Sequence, residues 1–157
     1  MTVSKPDDHG LGRRKTGANT ERVRAAFQRI FTDHQTGDID LFFAENFVQH
    51  SPYVAPGGRA ELAQWLATTV NSIPDLKYVI TDMVAAGNAV VVFATVTGTI
   101  EHDLPDYGIR GSGQATEFRT AHLLRLRDGM IVGHWEVVDT GPLVAMAITA
   151  AASAAGG

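Results

Sequence analysis

His122 and Glu136 sit on either side of Arg127-Asp128-Gly129 in the stretch FRTAHLLRLRDGMIVGHWEVVD, residues 118–139. A carboxylate facing an apolar cavity loses hydration, and its pKa rises from ~4.3 toward the working pH of a general acid or base. A neutral imidazole beside it can donate a hydrogen bond to a developing oxyanion. The two roles are complementary only if both side chains leave the sheet on one face.

The flanking runs are rich in Leu, Ile and Val, and an Asp-Gly pair between such runs is a hairpin signal. Two registers compete. A two-residue loop sets Arg127 opposite Met130 and His122 opposite Trp135, which sends Glu136 to the other side. A three-residue loop, closed by Gly129 as a left-handed bulge, sets Leu126 opposite Met130 and puts Thr120, His122, His134, Glu136 and Val138 on one face. The second is preferred because it gathers Arg119, Arg125 and Arg127 on the opposite, hydrated face. Leu123, Trp135 and Val137 share that face, and a mixed surface of this kind predicts a partner subunit.

Other residues are candidates for support. His50, after an apolar pair and before a Pro-bounded loop, can rim a cavity mouth; the alternative is an ordinary polar loop histidine. His134 shares its face with Glu136, and Asp139 lies at the strand end. Phe27, Phe31, Trp65 and Phe118 can wall the cavity, or be ordinary core. For Glu136 itself the bland alternative is a strand residue facing water. No histidine pair has metal-binding helical spacing, and no two histidines and a carboxylate stand as a facial set close in sequence, so no metal is expected. There is no G-x-S-x-G elbow and no phosphate-cradling glycine loop.

These groups need elements to hold them. Residues 1–18 mix Lys, Arg, Asp, Gly and Pro without periodicity and read as a flexible leader. Asn19 reads as the cap of a helix in which Val23, Ala26, Phe27, Ile30 and Phe31 form one apolar face as far as about Gly37. Asp38 to Asn46 reads as a second helix, Pro52 ends regular structure, and Leu62, Trp65, Leu66 and Val70 mark a third helix ending before Pro74. Four β-rich runs follow, at 76–84, 89–99, 114–127 and 130–139. Helices followed by sequential strands predict an α+β domain over residues 19–148, with three helices on a strongly curved antiparallel sheet whose hollow side is a pocket. An Ala/Gly-rich tail, 149–157, ends the chain.

With 157 residues the chain suits one domain that buries roughly 70% of the surface its unfolded form exposes. It has no Cys, which excludes disulfides and thiol chemistry, and its net charge of −4 carries no basic stripe, which argues against nucleic acid. No apolar run approaches the ~20 residues of a membrane span, so a cytoplasmic protein is expected.

Three segments, FVQHSPYVAPGG, IPDLKYVITDMVAAGNAVVVFATVTGT and AHLLRLRDGMIVGHWEVVDTGPL, together resemble the SnoaL-like polyketide cyclases. That family has the nuclear-transport-factor-2-like cone fold, shared with ketosteroid isomerases and limonene epoxide hydrolases. The resemblance spans most of residues 22–148. It implies that the acid/base pair of the cyclases falls on His122 and Glu136, and that the reaction is a cofactor-free intramolecular aldol condensation of an apolar carbonyl compound. It further implies a homodimer through the sheet. The antibiotic cyclases carry Asp where this chain has Glu136, and one added methylene moves a carboxylate by more than ~1 Å, a displacement that can cost about a hundredfold in rate. Epoxide or ester hydrolysis by Glu136 with Asp139 or another acid, and a non-catalytic ligand-binding dimer, are the alternatives.

Overall fold

The computed structural model describes residues 8–51 and 56–156, with side chains from residue 15 onward. Residues 1–7 of the expected leader, Pro52 and the terminal Gly157 lie outside the described residues. In chain order the elements are α1 (Asp8–Ala26), which runs on as a wider π-type turn over Phe27–Thr32, α2 (Ile39–Phe42), β1 (Phe43–His50), α3 (Arg59–Ser72), β2 (Lys77–Ala86), β3 (Ala89–Ile100), β4 (Gln114–Arg127), β5 (Met130–Val138) and α4 (Gly141–Ala155). The α+β architecture is as expected: helices cover one face of a five-stranded, curved, unclosed sheet.

The strand order is β1-β5-β4-β3-β2. β2 to β5 form the antiparallel meander, and β1 adds to β5 in parallel. This corrects the expected second helix over Asp38 to Asn46, which ends at Phe42. From Phe43 the side chains alternate, with Phe43, Phe47 and Gln49 buried, so the segment gains more from pairing with β5 than from continuing a short helix. A long strand therefore precedes α3.

Two other expectations change. The first helix begins at Asp8, so residues 8–18 are helical and Asn19 lies inside the helix, where its amide donates to the carbonyl of Gly87 at 3.2 Å. The same helix ends at Thr32 rather than near Gly37, because His34 takes a left-handed conformation (φ 59°) and hydrogen-bonds the Leu76 carbonyl at 2.8 Å.

The β4–β5 turn also differs from the preferred register. Arg127 pairs with Met130, so the loop has two residues, and Asp128 and Gly129 both take positive φ (51° and 77°), the geometry that matches strand twist. One more residue is then accommodated in β5: Leu126 pairs with Ile131 but Arg125 pairs with Gly133, which leaves Val132 as a bulge. The bulge restores what the short turn alone would have lost, and His122 pairs directly with Glu136.

The core lies between the inner sheet face and the helices, with Phe27, Ile30, Leu62, Leu66, Val92, Leu124 and Ile131 almost fully buried. Among the described residues no helix is long and apolar enough to cross a membrane.

Candidate functional site

On the inner face of β4, Thr120, His122, Leu124 and Leu126 alternate with outward Arg119, Leu123, Arg125 and Arg127. β5 adds His134 and Glu136 to the same inner face, and β1 adds Gln49, paired with His134. The result is a row of polar groups inside an apolar core. Buried polar groups are costly unless each has a partner, and here a chain of contacts supplies them. Thr120 Oγ1 lies 2.9 Å from His122 Nε2, His122 Nδ1 lies 2.8 Å from His134 Nε2, and His134 Nδ1 lies 2.8 Å from Gln49 Oε1. With the Gln49 oxygen as acceptor, each imidazole donates from Nδ1 and accepts at Nε2, so both are neutral and fully used.

The electrostatics agree with that assignment. Burial holds the His122 pKa well below 6.5, with His134 adding to the effect, and burial together with His50 lowers His134 to about 4. Glu136 Oε2 approaches His122 Nδ1 at 3.8 Å, but desolvation outweighs that attraction. Rings stiffen the pair: Phe27 meets His122 edge-on at 5.0 Å and Phe31 lies 6.3 Å from His134.

Glu136 differs from the histidines in lining a cavity. Ser51 Oγ donates to its Oε1, while Oε2 has no hydrogen bond among the described residues. Burial raises its pKa above 4.5, and the Ser51 hydrogen bond, which favours the charged form, opposes the rise. It is the floor of a cavity walled by Trp65 and Thr69 of α3, Ile73, Leu76, Tyr78 of β2, Leu104, Tyr107, Phe118 and Val138 of the sheet, and Leu143 of α4. The cavity volume is about 30 Å³, close to the share of one water in the liquid. A ligand larger than about one water would require the walls of this cavity to move.

The expected site residues are distributed as follows. His122, His134 and Glu136 come together, and Trp65 and Phe118 are on the cavity wall. Phe27 and Phe31 are core residues packed on the histidines rather than wall residues. His134 lies behind His122, hydrogen-bonded on both nitrogens. His50 does not rim the cavity: it points outward from β1 and stacks on Trp135 at 4.3 Å, with the rings 5° from parallel. Its neighbours Gln49 and Ser51 hold the inner positions, a consequence of strand alternation from buried Phe47 that a helical reading of the preceding residues concealed. Asp139 also stays outside, accepting from the Gly141 amide at 3.1 Å and so steadying the start of α4. Tyr78, on the edge strand, also lines the cavity, and nothing in its local sequence marks it.

One potential ligand atom from each of His122, His134 and Glu136 lies within 4.8 Å of the others. Sequence spacing missed this set because the hairpin assembles it across strands. Two imidazoles and a carboxylate can hold a divalent cation, although here the ring nitrogens are already satisfied by one another, Thr120 and Gln49.

The elements form a cone-shaped α+β domain with a buried carboxylate lining a cavity on the inner side of the sheet. The family model for SnoaL-like polyketide cyclases matches residues 21–145, and the chain belongs to that family. Solved structures agree on the fold. AclR, a candidate hydroxylase of Streptomyces galilaeus, is 19% identical with a TM-score of 0.74, over 85% of this chain and 98% of its own. IdmH, a candidate polyketide cyclase of Streptomyces antibioticus, is 21% identical with a TM-score of 0.72, over 82% and 96%. A candidate SnoaL-like cyclase of Jannaschia sp. CCS1 is 19% identical with a TM-score of 0.76, over 94% and 98%. No curated protein sequence matches the chain.

Proposed function

We propose that the protein is a cofactor-free enzyme in which Glu136 moves protons on an apolar carbonyl compound, in an aldol-type cyclisation or a related isomerisation. The observation that carries this reading is a carboxylate, 7% exposed, that lines an apolar cavity, with one oxygen held by Ser51 and the other without a hydrogen bond among the described residues. Desolvation raises its basicity, and the fixed geometry spares the reorganisation a water-solvated base would need. His122 acts from behind. It is 3.8 Å from Glu136 but both its nitrogens are engaged, so it sets the carboxylate's surroundings rather than touching substrate.

A hydrolase reading needs a second acid on a shared water, and Asp139 is occupied at the start of α4. The test is deuterium exchange at the acidic carbons of 2-tetralone. Wild type should accelerate it, and Glu136→Gln should lose 10²–10⁴-fold of that acceleration. Equal exchange by the variant would remove Glu136 from the chemistry.

The outer sheet face supports a further element, a homodimer. Phe93, Ala121 and Val137 form one row across β3, β4 and β5, and Val91, Leu123, Trp135 and His50 form the next. Phe93, Trp135 and Val137 are 44%, 39% and 69% exposed, and such adjoining apolar rows suit an isologous interface.

A further inference from the structure

An enolate-forming base works only if something stabilises the oxygen on which negative charge accumulates. His122 was the sequence candidate, but its two nitrogens are spent on His134 and Thr120 and it stands behind Glu136. Thr69, on the wall, gives its hydroxyl to the Trp65 carbonyl at 2.9 Å. The Tyr78 side chain is on the same wall, and its hydroxyl makes no hydrogen bond among the described residues.

Its position is well fixed. The backbone of Tyr78 is clamped by Thr32, whose Oγ1 accepts from the Tyr78 amide at 3.2 Å and lies 3.3 Å from its carbonyl oxygen. The ring packs against Phe31 at 5.4 Å, His122 at 5.9 Å and Phe27 at 6.0 Å. The hydroxyl feels Glu136 and Tyr107, both of the cavity wall, and these together with the dominant effect of burial hold its pKa well above 10. A phenol in that setting keeps its proton and is able to donate it as a hydrogen bond.

Building on the reading of Glu136 as base, we propose that Tyr78 is the hydrogen-bond donor to the substrate oxygen, holding the carbonyl whose neighbouring proton Glu136 removes. The C–H bond breaks, its proton passes to the Glu136 carboxylate, and the electron pair moves into a C=C bond as the carbonyl oxygen becomes an enolate held by the Tyr78 O–H. In a cyclisation the pair then forms the new C–C bond to a second carbonyl carbon, whose oxygen takes the proton back from Glu136. Tyr78 keeps its proton throughout.

The test uses 4-nitrophenol as an enol mimic and nitrobenzene as the same ring without the hydroxyl. Binding is measured in the Glu136→Gln background, so that the carboxylate cannot itself capture the phenol. That protein should bind 4-nitrophenol about tenfold more tightly than nitrobenzene, and adding Tyr78→Phe should abolish the preference while leaving nitrobenzene affinity in place. With Glu136 intact, Tyr78→Phe should lower the rate of 2-tetralone exchange by about 10²–10³-fold at nearly constant KM. A preference that survives without the hydroxyl, no preference in its presence, or a parallel fall in both affinities would overturn the assignment. Failure of Glu136 as base would appear separately, as undiminished exchange by Glu136→Gln.

Discussion

Over residues 120–123 and 134–137 the two faces of the β4–β5 hairpin invert the usual order of a half-buried sheet, which the rest of the hairpin keeps, with Leu124, Leu126 and Ile131 inward and Arg119, Arg125 and Arg127 outward. Inward lie Thr120, His122, His134 and Glu136, polar and almost sealed from water; outward lie Ala121, Leu123, Trp135 and Val137, apolar and partly exposed. Because side chains alternate, each of these inward groups has an outward apolar neighbour one residue away. The inner face can remain polar because Thr120, His122, His134 and Gln49 satisfy one another and Ser51 supports Glu136. No comparable partnership covers the outer apolar rows within the described residues, and the proposed homodimer would cover them with a second copy of the chain. In the reading proposed above, polar burial serves the chemistry and apolar exposure serves the assembly.

Charge placed on one face should leave the other intact, and this gives the largest separations. Glu136→Gln removes 10²–10⁴-fold of activity without changing the oligomer. Val137→Arg, on the outer face, should weaken dimerisation by about a hundredfold or more, seen by sedimentation, while the Glu136 titration stays where it was. A wild type that remains monomeric at micromolar concentration would end the assembly half of the comparison.

Stability against pH tests the sealed face next. His134 titrates near 6.5 unfolded and about 4 folded. Between those values the unfolded chain takes up a proton that the folded chain refuses, so stability is full above about pH 6.5 and falls as pH drops toward 4. His134 alone accounts for about 3 kcal/mol of that loss. Glu136 works in the opposite sense: its raised folded pKa favours the folded state as pH falls toward 4.5 and costs stability as pH rises through the folded value. Denaturant melts of wild type and His134→Phe should therefore diverge most between pH 4 and 6.5, with the variant flatter. The smallest effect belongs to Ser51→Ala, which removes the hydrogen bond favouring the carboxylate and should move the ascending limb of kcat/KM to higher pH.

Much of this was legible in the chain. Leu, Ile and Val around Asp128-Gly129 announce the hairpin, and the inner-face set His122, His134 and Glu136 follows from alternation once its phase is right. That phase is set not by a three-residue loop but by a two-residue turn compensated by a bulge at Val132, which no local residue signals. β1 was hidden because Phe42-Phe43 suits either a helix or a buried strand, and only pairing with β5 decides. That one ambiguity misplaced His50 and concealed Gln49 and Ser51. Tyr78 was invisible for a related reason: its value lies in what faces it across the cavity.

The central claim is that Glu136 is a desolvated carboxylate with raised basicity, and the carbon-13 NMR titration of side-chain carboxyl groups tests it without any substrate. A resonance present in wild type and missing from Glu136→Gln should titrate above 4.5, and higher again in Ser51→Ala. A Glu136 resonance titrating at or below 4.5 would contradict the account.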